Sequence, residues 1–180
     1  GMLWNMNPNT MTVRFRLSNK GVGLRPVAVE PLFQGGEFNA SYNAKYQPYT
    51  FTPPVTTKKV ELVTLLTGHG QEPANNCAEW CNHVHTFKVN GTPFIKTHVG
   101  QPGQPFGCAE QVSEGVVPGQ YGNWAPSRAY WCPGLPVAPW RQDITGSVNL
   151  NAPNTMTYAG SYLGGEPAGG RVRMSSYLVY

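Results

Sequence analysis

Hydrophobic and polar residues alternate with a period of two wherever the chain shows regular spacing. Val13, Phe15 and Leu17 alternate with polar neighbours, which predicts a half-buried strand over residues 12–17. No stretch of ten or more residues has the spacing of an amphipathic helix. Further predicted strands cover residues 24–31, 49–52, 59–67, 85–89, 94–98, 142–150, 155–161 and 172–180.

The arrangement of these strands favours one fold class. Asn90-Gly91 lies between two of them and indicates a tight hairpin, since both residues tolerate the positive φ that such a turn requires. About eight strands joined by non-local loops predict an all-β fold, an eight-stranded antiparallel jelly-roll β-sandwich.

Two stretches interrupt the alternation. Residues 68–82 and 100–139 are rich in Gly, Pro, Trp and Cys. Long irregular loops inside a compact domain are usually either functional or disordered, and cysteines argue against disorder. The functional site is therefore expected in these two loops.

Composition limits the class of protein. The 180 residues fit one domain, and charged residues make up only 12% while Gly 21 and Pro 17 are high, as in a turn-rich chain. No apolar run approaches the roughly 20 residues of a transmembrane helix. The net charge of +4 comes from scattered basic residues, whereas a nucleic-acid interface would need them clustered. Neither a membrane nor a nucleic acid is an expected partner.

The cysteines indicate an oxidising compartment. Cys77, Cys81, Cys108 and Cys132 are an even number in a turn-rich chain of low charge, so a secreted, periplasmic or extracellular location is expected. Three connectivities are open. Pairing neighbours in sequence would close a tight Cys77–Cys81 loop and a longer Cys108–Cys132 loop, the second stabilising the fold by about 3 kcal/mol.

Each irregular loop carries residues suited to chemistry. Glu79 stands beside Trp80 between two cysteines, and apolar walls around a carboxylate raise its pKa; the alternative is an exposed glutamate that only solubilises the loop. Trp124, Arg128 and Trp131 of the second loop suit a sugar, because indoles pack on pyranose faces and a guanidinium engages hydroxyls. The alternative is packing of both tryptophans around a disulfide.

Two motifs of these loops closely resemble the peptide-N-glycosidase F family. They are Cys-Ala-Glu-Trp-Cys at 77–81 and Gly-Asn-Trp-Ala-Pro-Ser-Arg-Ala-Tyr-Trp-Cys-Pro-Gly at 122–134. The resemblance implies a secreted amidase that cleaves the bond between asparagine and the first N-acetylglucosamine of N-linked glycans. It also implies two adjacent jelly rolls with the active site between them, residues 21–180 being the C-terminal one. The implied partners are an N-linked glycan or glycopeptide and a preceding jelly-roll domain or partner chain, with no cofactor and no metal.

Candidate site residues follow from the same resemblance. It implies that Glu79 positions water or contacts the glycan core and that Arg128 supports the catalytic carboxylate, so these two are the candidate catalytic residues. The candidate substrate-binding residues are Trp80, Trp131, His69 and Trp124. The family pairing of half-cystines implies the Cys77–Cys81 and Cys108–Cys132 disulfides.

The chain also departs from the family pattern. The principal catalytic aspartate of the family lies on the first jelly roll, and Asp143, the only aspartate of this chain, falls on a strand away from the motifs. Without that carboxylate no group is evident to activate water, so the isolated chain is expected to be inactive or nearly so. Residues 1–20 are expected to hold a cloning remnant at Gly1, a start or inserted methionine, and the closing strand of a preceding domain.

Two other functions remain open. A jelly roll that binds glycan through its loop tryptophans, Arg128 and Glu79 without cleaving it would need no aspartate. The third hypothesis is a copper-dependent monooxygenase-like domain, because His83 and His85 lie on one face of a strand and the ascorbate-dependent copper monooxygenases have a similar jelly-roll fold.

Overall fold

The fold is an all-β sandwich with one short helix. The computed structural model describes residue 15 and residues 23–70, 77–97, 102–162 and 165–180. The strands in chain order are β1 (Val29–Glu37), β2 (Tyr49–Phe51), β3 (Glu61–His69), β4 (His83–Val89), β5 (Thr92–Thr97), β6 (Trp140–Asp143), β7 (Asn154–Tyr162) and β8 (Arg171–Val179). The helical segments of this part are α1 (Cys77–Trp80) and the 3-10 turns Asn43–Lys45, Ala109–Glu114, Gln120–Gly122 and Thr145–Ser147. None of these described helices is long and apolar enough to cross a membrane.

The strands form two four-stranded sheets. Sheet I has the order β1-β8-β3-β6 and sheet II the order β2-β7-β4-β5, and every pairing is antiparallel. Consecutive strands lie in different sheets, except β4 and β5, which share sheet II. Strands that are neighbours in a sheet are therefore mostly distant in sequence. This connectivity is that of a jelly roll, and the predicted fold class is confirmed.

The core lies between the sheets and follows the alternation of the sequence. In sheet I, β8 buries Val172, Met174, Ser176 and Leu178 while their neighbours are more exposed. In sheet II, the buried positions of β4 are His83, His85, Phe87 and Val89. Because side chains alternate across a strand, one periodic pattern sets both the core and the outer face.

The predicted hairpin turn is confirmed. Asn90 and Gly91 have φ of 50° and 90°, and the turn joins β4 to β5 with Val89 opposite Thr92. The side-chain Nδ2 of Asn90 also donates to Asn154 Oδ1 at 2.7 Å. The turn is therefore anchored to the start of β7.

Three strand predictions need correction. The strand predicted at 24–31 begins at Val29. The prediction for 142–150 is wrong beyond Asp143, because Asp143 Oδ1 accepts hydrogen bonds from the amide and hydroxyl of Thr145 at 3.0 and 2.6 Å and turns the chain into a 3-10 turn. In the predicted strand 12–17 only Phe15 is described; it is outside the strands and 85% exposed, and the rest of that prediction lies outside the described residues.

One predicted disulfide is present with both partners described. Cys108 and Cys132 are bonded, with Cα atoms 5.6 Å apart, and Val116, Leu135 and Trp124 pack around them. Cys81 is also disulfide-bonded. The side chain of Cys77, its predicted partner, lies outside the described part.

Candidate functional site

The two irregular loops meet at the end of the sandwich where β3 ends and β4 and β8 begin. The α1 turn packs on β3 and β8 there. A Cβ added at Gly68 would overlap the Ala78 carbonyl oxygen, and one at Gly170 would overlap the Ala78 methyl group. Glycine at these two strand ends therefore lets the α1 turn approach the sheet closely.

Hydrogen bonds join the second loop to α1 and β3. The amide of Ala129 donates to the carbonyl of Glu79 at 2.8 Å, and the amide of Gly68 donates to the carbonyl of Ala129 at 3.0 Å. The indole N–H of Trp131 donates to the carbonyl of Gly68 at 2.8 Å. Arg128, next to Ala129 in the chain, is thereby brought beside Glu79.

Glu79 and Arg128 form an ion pair with a fully buried cation. Arg128 Nε donates to Glu79 Oε1 at 2.8 Å and the Gly70 amide donates to Oε2 at 3.0 Å. The Arg128 side chain is 0% exposed and that of Glu79 is 17% exposed, and Nη2 of the arginine donates to the carbonyl of Asn123. Since both carboxylate oxygens accept hydrogen bonds, Glu79 presents a partly accessible negative charge in a fixed orientation.

Aromatic rings enclose the Arg128 guanidinium. Its Cζ lies 4.8 Å from the Trp80 ring centroid and 4.7 Å from the Trp131 ring centroid, within the range of cation–π attraction. His69 packs on Trp131 with ring centroids 4.9 Å apart, and its Nε2 is 2.7 Å from the Thr67 hydroxyl. The two tryptophans and the histidine therefore form a ring-lined surface around the ion pair.

His69 favours its neutral form. Burial lowers the pKa of its imidazole, Glu79 opposes that effect, and the cations Arg173 and Arg128 add to it. A neutral ring donates one hydrogen bond and accepts one. At neutral pH, His69 therefore offers hydrogen bonding and a ring face to a ligand and leaves Arg128 as the cation of the site.

A cleft of about 240 Å³ opens beside this surface. Arg128 and Trp131 line one part of it, and Lys96 of β5 and Trp140 of β6 line another. Lys96 Nζ lies 5.2 Å from the Tyr130 ring centroid, and burial lowers the pKa of this lysine. Mostly apolar and aromatic walls with a few polar groups are typical of small-ligand sites.

The structure brings five of the six predicted site residues together. They are Glu79, Arg128, Trp80, Trp131 and His69. Trp124 instead packs against the Cys108–Cys132 cluster, as in the alternative interpretation of this residue. The contributions of the Gly70 amide and the Asn123 carbonyl were not foreseen, because they come from the backbone and no side-chain pattern signals them.

His83 and His85, the candidate copper ligands, lie in the core. His83 Nδ1 is 2.6 Å from His85 Nε2, His83 Nε2 is 3.0 Å from the Ala78 carbonyl oxygen, and His85 Nδ1 is 2.6 Å from the Tyr158 hydroxyl. All four ring nitrogens are thus engaged in hydrogen bonds. Among the residues that the structure describes, no group of three or more His, Cys, Asp or Glu side chains could hold a metal ion. The geometry therefore gives the copper hypothesis no support.

The buried histidine pair predicts acid-sensitive stability. Burial lowers the pKa of His85 well below 6.5, and His83 and Lys96 add to the effect. Below about pH 6.5 this histidine binds a proton in the unfolded chain but not in the folded one, so the free energy of unfolding falls as the pH falls. We expect the free energy of unfolding to decrease by about 1.4 kcal/mol for each pH unit below about 6.5, down to the pKa of the folded ring.

Urea unfolding measured between about pH 8 and pH 5 tests this dependence. A His69→Asn control should retain most of the slope, because His69 is only half-buried and its pKa is lowered less. A stability that stays constant across this interval would contradict the prediction.

The sequence matches a family model over most of its length. Residues 37–179 match the model described as peptide-N-glycosidase F, C terminal. Over 96 residues the chain is 35% identical to the peptide-N(4)-(N-acetyl-beta-D-glucosaminyl)asparagine amidase F of Elizabethkingia miricola, a match that covers 51% of this chain and 25% of that protein.

Solved structures show the same similarity. A crystal structure of a peptide-N(4)-(N-acetyl-beta-D-glucosaminyl) asparagine amidase superposes with a TM-score of 0.66 at 25% identity, covering 84% of this chain and 51% of that one. PNGase F from Flavobacterium meningosepticum gives 0.60 at 25% identity, covering 84% and 50%. PNGF-II, at 18% identity and a TM-score of 0.59 over 86% of this chain and 30% of its own, shares the fold.

This chain thus spans about half the length of the first two solved enzymes, and its match to the curated relative covers a quarter of that protein. The family model, by contrast, accounts for well over half of the present sequence. The chain belongs to the family of peptide-N-glycosidase F C-terminal domains.

Proposed function

We propose that this chain is the glycan-facing domain of a peptide-N-glycosidase F-like amidase, which hydrolyses the amide bond between asparagine and N-acetylglucosamine in N-linked glycoproteins. The observation that carries the proposal is the Glu79–Arg128 ion pair between Trp80 and Trp131, where the two motif loops meet. Family membership and the amidase names of the relatives support the reaction class.

The chemistry of the site suits a sugar. The oriented Glu79 carboxylate can accept hydrogen bonds from glycan hydroxyl or acetamido groups, or hold a water molecule. Indole faces pack on the apolar face of a pyranose, and Trp80 is a partly exposed indole of this site. Arg128 and Trp131 of this site also line the cleft of about 240 Å³, which offers room for a small polar group.

The same geometry makes Glu79 a poor general base. One of its oxygens is held by Arg128 and the other by the Gly70 amide, and a general base must be free to take a proton from water. Asp143 pairs with Glu61, which lies at the opposite end of β3 from His69. Glu61 and His69 are about 26 Å apart along this extended strand. We therefore assign water activation to a carboxylate of a preceding jelly roll or partner chain, and we expect the isolated chain to be inactive.

We also place the protein outside the cytoplasm, in the periplasm or the extracellular space. The Cys108–Cys132 disulfide and the disulfide-bonded Cys81 support this location. None of the cysteines that the structure describes is free, as in proteins of oxidising compartments.

Release of glycan from a denatured N-glycoprotein tests the proposal. We expect no release by these 180 residues, and release by a longer protein in which an aspartate-bearing jelly roll precedes them. In that protein, Glu79→Gln is expected to lower kcat/KM by about 100-fold, because the fixed charge that orients water or glycan is lost.

Glu110→Gln is the matched control, since Glu110 is an exposed carboxylate of the second loop; its activity should stay within about twofold of the unchanged protein. Robust release by the isolated chain, or full activity of Glu79→Gln in the longer protein, would count against the split site.

A second candidate is a domain that binds glycan without cleaving it. The observation that favours it is that the ion pair and its aromatic surroundings are complete within this one chain. Titration of the isolated chain with chitobiose, followed by tryptophan fluorescence, measures binding directly. Saturable binding together with no glycan release by any longer form would establish this second function.

A further inference from the structure

A chain of buried hydrogen bonds runs from the aromatic core to α1. The Tyr42 and Tyr158 hydroxyls are 2.9 Å apart, and the Tyr158 hydroxyl is 2.6 Å from His85 Nδ1. His85 Nε2 is 2.6 Å from His83 Nδ1, and His83 Nε2 is 3.0 Å from the Ala78 carbonyl oxygen. Both imidazoles are 0% exposed. The histidines thus connect the centre of the sandwich to the turn that carries Glu79.

The carbonyl at the end of this chain sets the position of each proton. A carbonyl oxygen only accepts, so His83 Nε2 carries a proton and donates it to Ala78. With neutral rings, as full burial favours, His83 Nδ1 then accepts from His85 Nε2. His85 Nδ1 accepts in turn from the Tyr158 hydroxyl. Every ring nitrogen has a partner, and each ring holds one proton.

The charged and titratable groups that act on His85 do not compensate a positive charge on its ring. His85 is influenced by His83 and by Lys96, and both oppose its protonation. Among the residues that the structure describes, tyrosines from β7 and the second loop also pack on the two rings, namely Tyr158, Tyr162 and Tyr130. Burial raises the pKa of Tyr158 and of Tyr130, so they stay neutral. An additional proton on His85 would therefore place a positive charge in the core and turn Nδ1 of that ring from an acceptor into a donor.

The α1 turn depends on outside contacts for its position. It has four residues, far fewer than an isolated helix needs to be stable. Ala78 is fully buried, and the carbonyl of Glu79 is held by the Ala129 amide. The Tyr130 hydroxyl donates to the carbonyl of His83 at 2.7 Å, which ties the second loop to the same histidine. The bond from His83 to Ala78 thus holds the peptide immediately before Glu79.

We propose that His83, His85 and Tyr158 are positioning residues that seat Glu79 through the carbonyl of Ala78, and that they do so only while His85 is neutral. The inference rests on the proposed function, to which it adds a means of regulation. The glycan-facing site is assembled at neutral pH and opens in acid, at a pH set by the core histidines and not by the carboxylate they position.

Nuclear magnetic resonance of the chain tests this inference without any glycan. The Gly70 amide donates to Glu79 Oε2, so its resonance reports whether Glu79 is seated, while the ring nitrogens of His83 and His85 report proton positions. At neutral pH both rings should be protonated on Nε2 alone. On acidification, the Gly70 resonance should move in the same transition as the His85 nitrogens.

Three variants separate positioning from general support of the fold. Tyr158→Phe removes the hydroxyl that donates to His85, so both transitions should move together to higher pH by about one pH unit. His83→Leu should displace the Gly70 resonance at neutral pH. His83→Gln, whose amide can donate to Ala78, should restore it. Val89→Ala, at a fully buried position of the same strand, is the control and should leave the Gly70 resonance and its transition in place.

Two results would overturn the inference. One is a Gly70 resonance that responds to Val89→Ala as strongly as to His83→Leu, and the other is a Gly70 transition unrelated to that of the ring nitrogens. Chitobiose titration of the same samples keeps the two proposals distinguishable. Absence of binding would reject the glycan function, whereas the Gly70 and histidine resonances would still decide the positioning role.

Discussion

Replacing Arg128 with leucine is expected to lower the free energy of unfolding by about 3 kcal/mol, the lower end of the cost of removing one partner from a buried ion pair. The arginine side chain is 0% exposed. Without it, Glu79 keeps the hydrogen bond from the Gly70 amide but loses its cationic partner. The space between Trp80 and Trp131 would also be poorly filled. The value is at the lower end because Glu79 is 17% exposed and water can partly solvate it.

Urea unfolding of matched variants measures this cost. Arg128→Lys keeps the charge but not the planar fork that stacks on the indoles, so an intermediate loss is expected. Arg141→Leu is the control, because Arg141 is 55% exposed and its nitrogen is 3.5 Å from Glu61; its loss should not exceed about 1 kcal/mol. If Arg128→Leu proved as mild as Arg141→Leu, the ion pair would not organise the loops.

Replacing both Cys108 and Cys132 with alanine is expected to cost about 3 kcal/mol, since the bond joins residues 24 apart in sequence and restricts the unfolded chain. The effect should concentrate on the second loop, because the cluster around the disulfide is separate from the main core of the sandwich. Arg128 lies on this loop, so chitobiose binding is expected to weaken before the strands unfold.

Denaturant unfolding combined with limited proteolysis distinguishes a local from a global effect. Early cleavage within residues 102–139, with the sheets still folded, is the expected pattern. Val117→Ala is a suitable control, because Val117 lies on the same loop and is 58% exposed; its effect should stay within about 0.5 kcal/mol. Equal protease resistance with and without the disulfide would contradict the separation of the two clusters.

Local patterns in the sequence were sufficient to predict most strands. Alternation places β3, β7 and β8 close to their observed bounds, and Asn90-Gly91 locates the hairpin turn. These features depend on residues that are near one another in the chain. The error in the strand predicted at 142–150 also has a local cause. The Asp143 carboxylate accepts a hydrogen bond from the Thr145 amide, and this ends the strand.

The candidate site was foreseen in its members but not in its geometry. The motifs and the family resemblance placed Glu79 and Arg128 in one site, and the ion pair agrees with that placement. Trp124 is a tryptophan of the same loop as Trp131, yet it packs against the disulfide. The difference comes from the path of the loop over the sheets, which no property of an isolated tryptophan reveals.

The amino-acid sequence alone determined the fold class, the location of the two irregular loops and the residue types that could form a site, because alternation, turn residues and motifs act over short distances along the chain. The tertiary structure determined which partners those residues have. His83 and His85 share one strand face, as the spacing predicts. They serve as hydrogen-bonding core residues because Tyr158, 73 residues from His85, and Ala78 of the α1 turn satisfy their nitrogens there. Burial makes these partners decisive, since an unsatisfied polar group in the core would be costly.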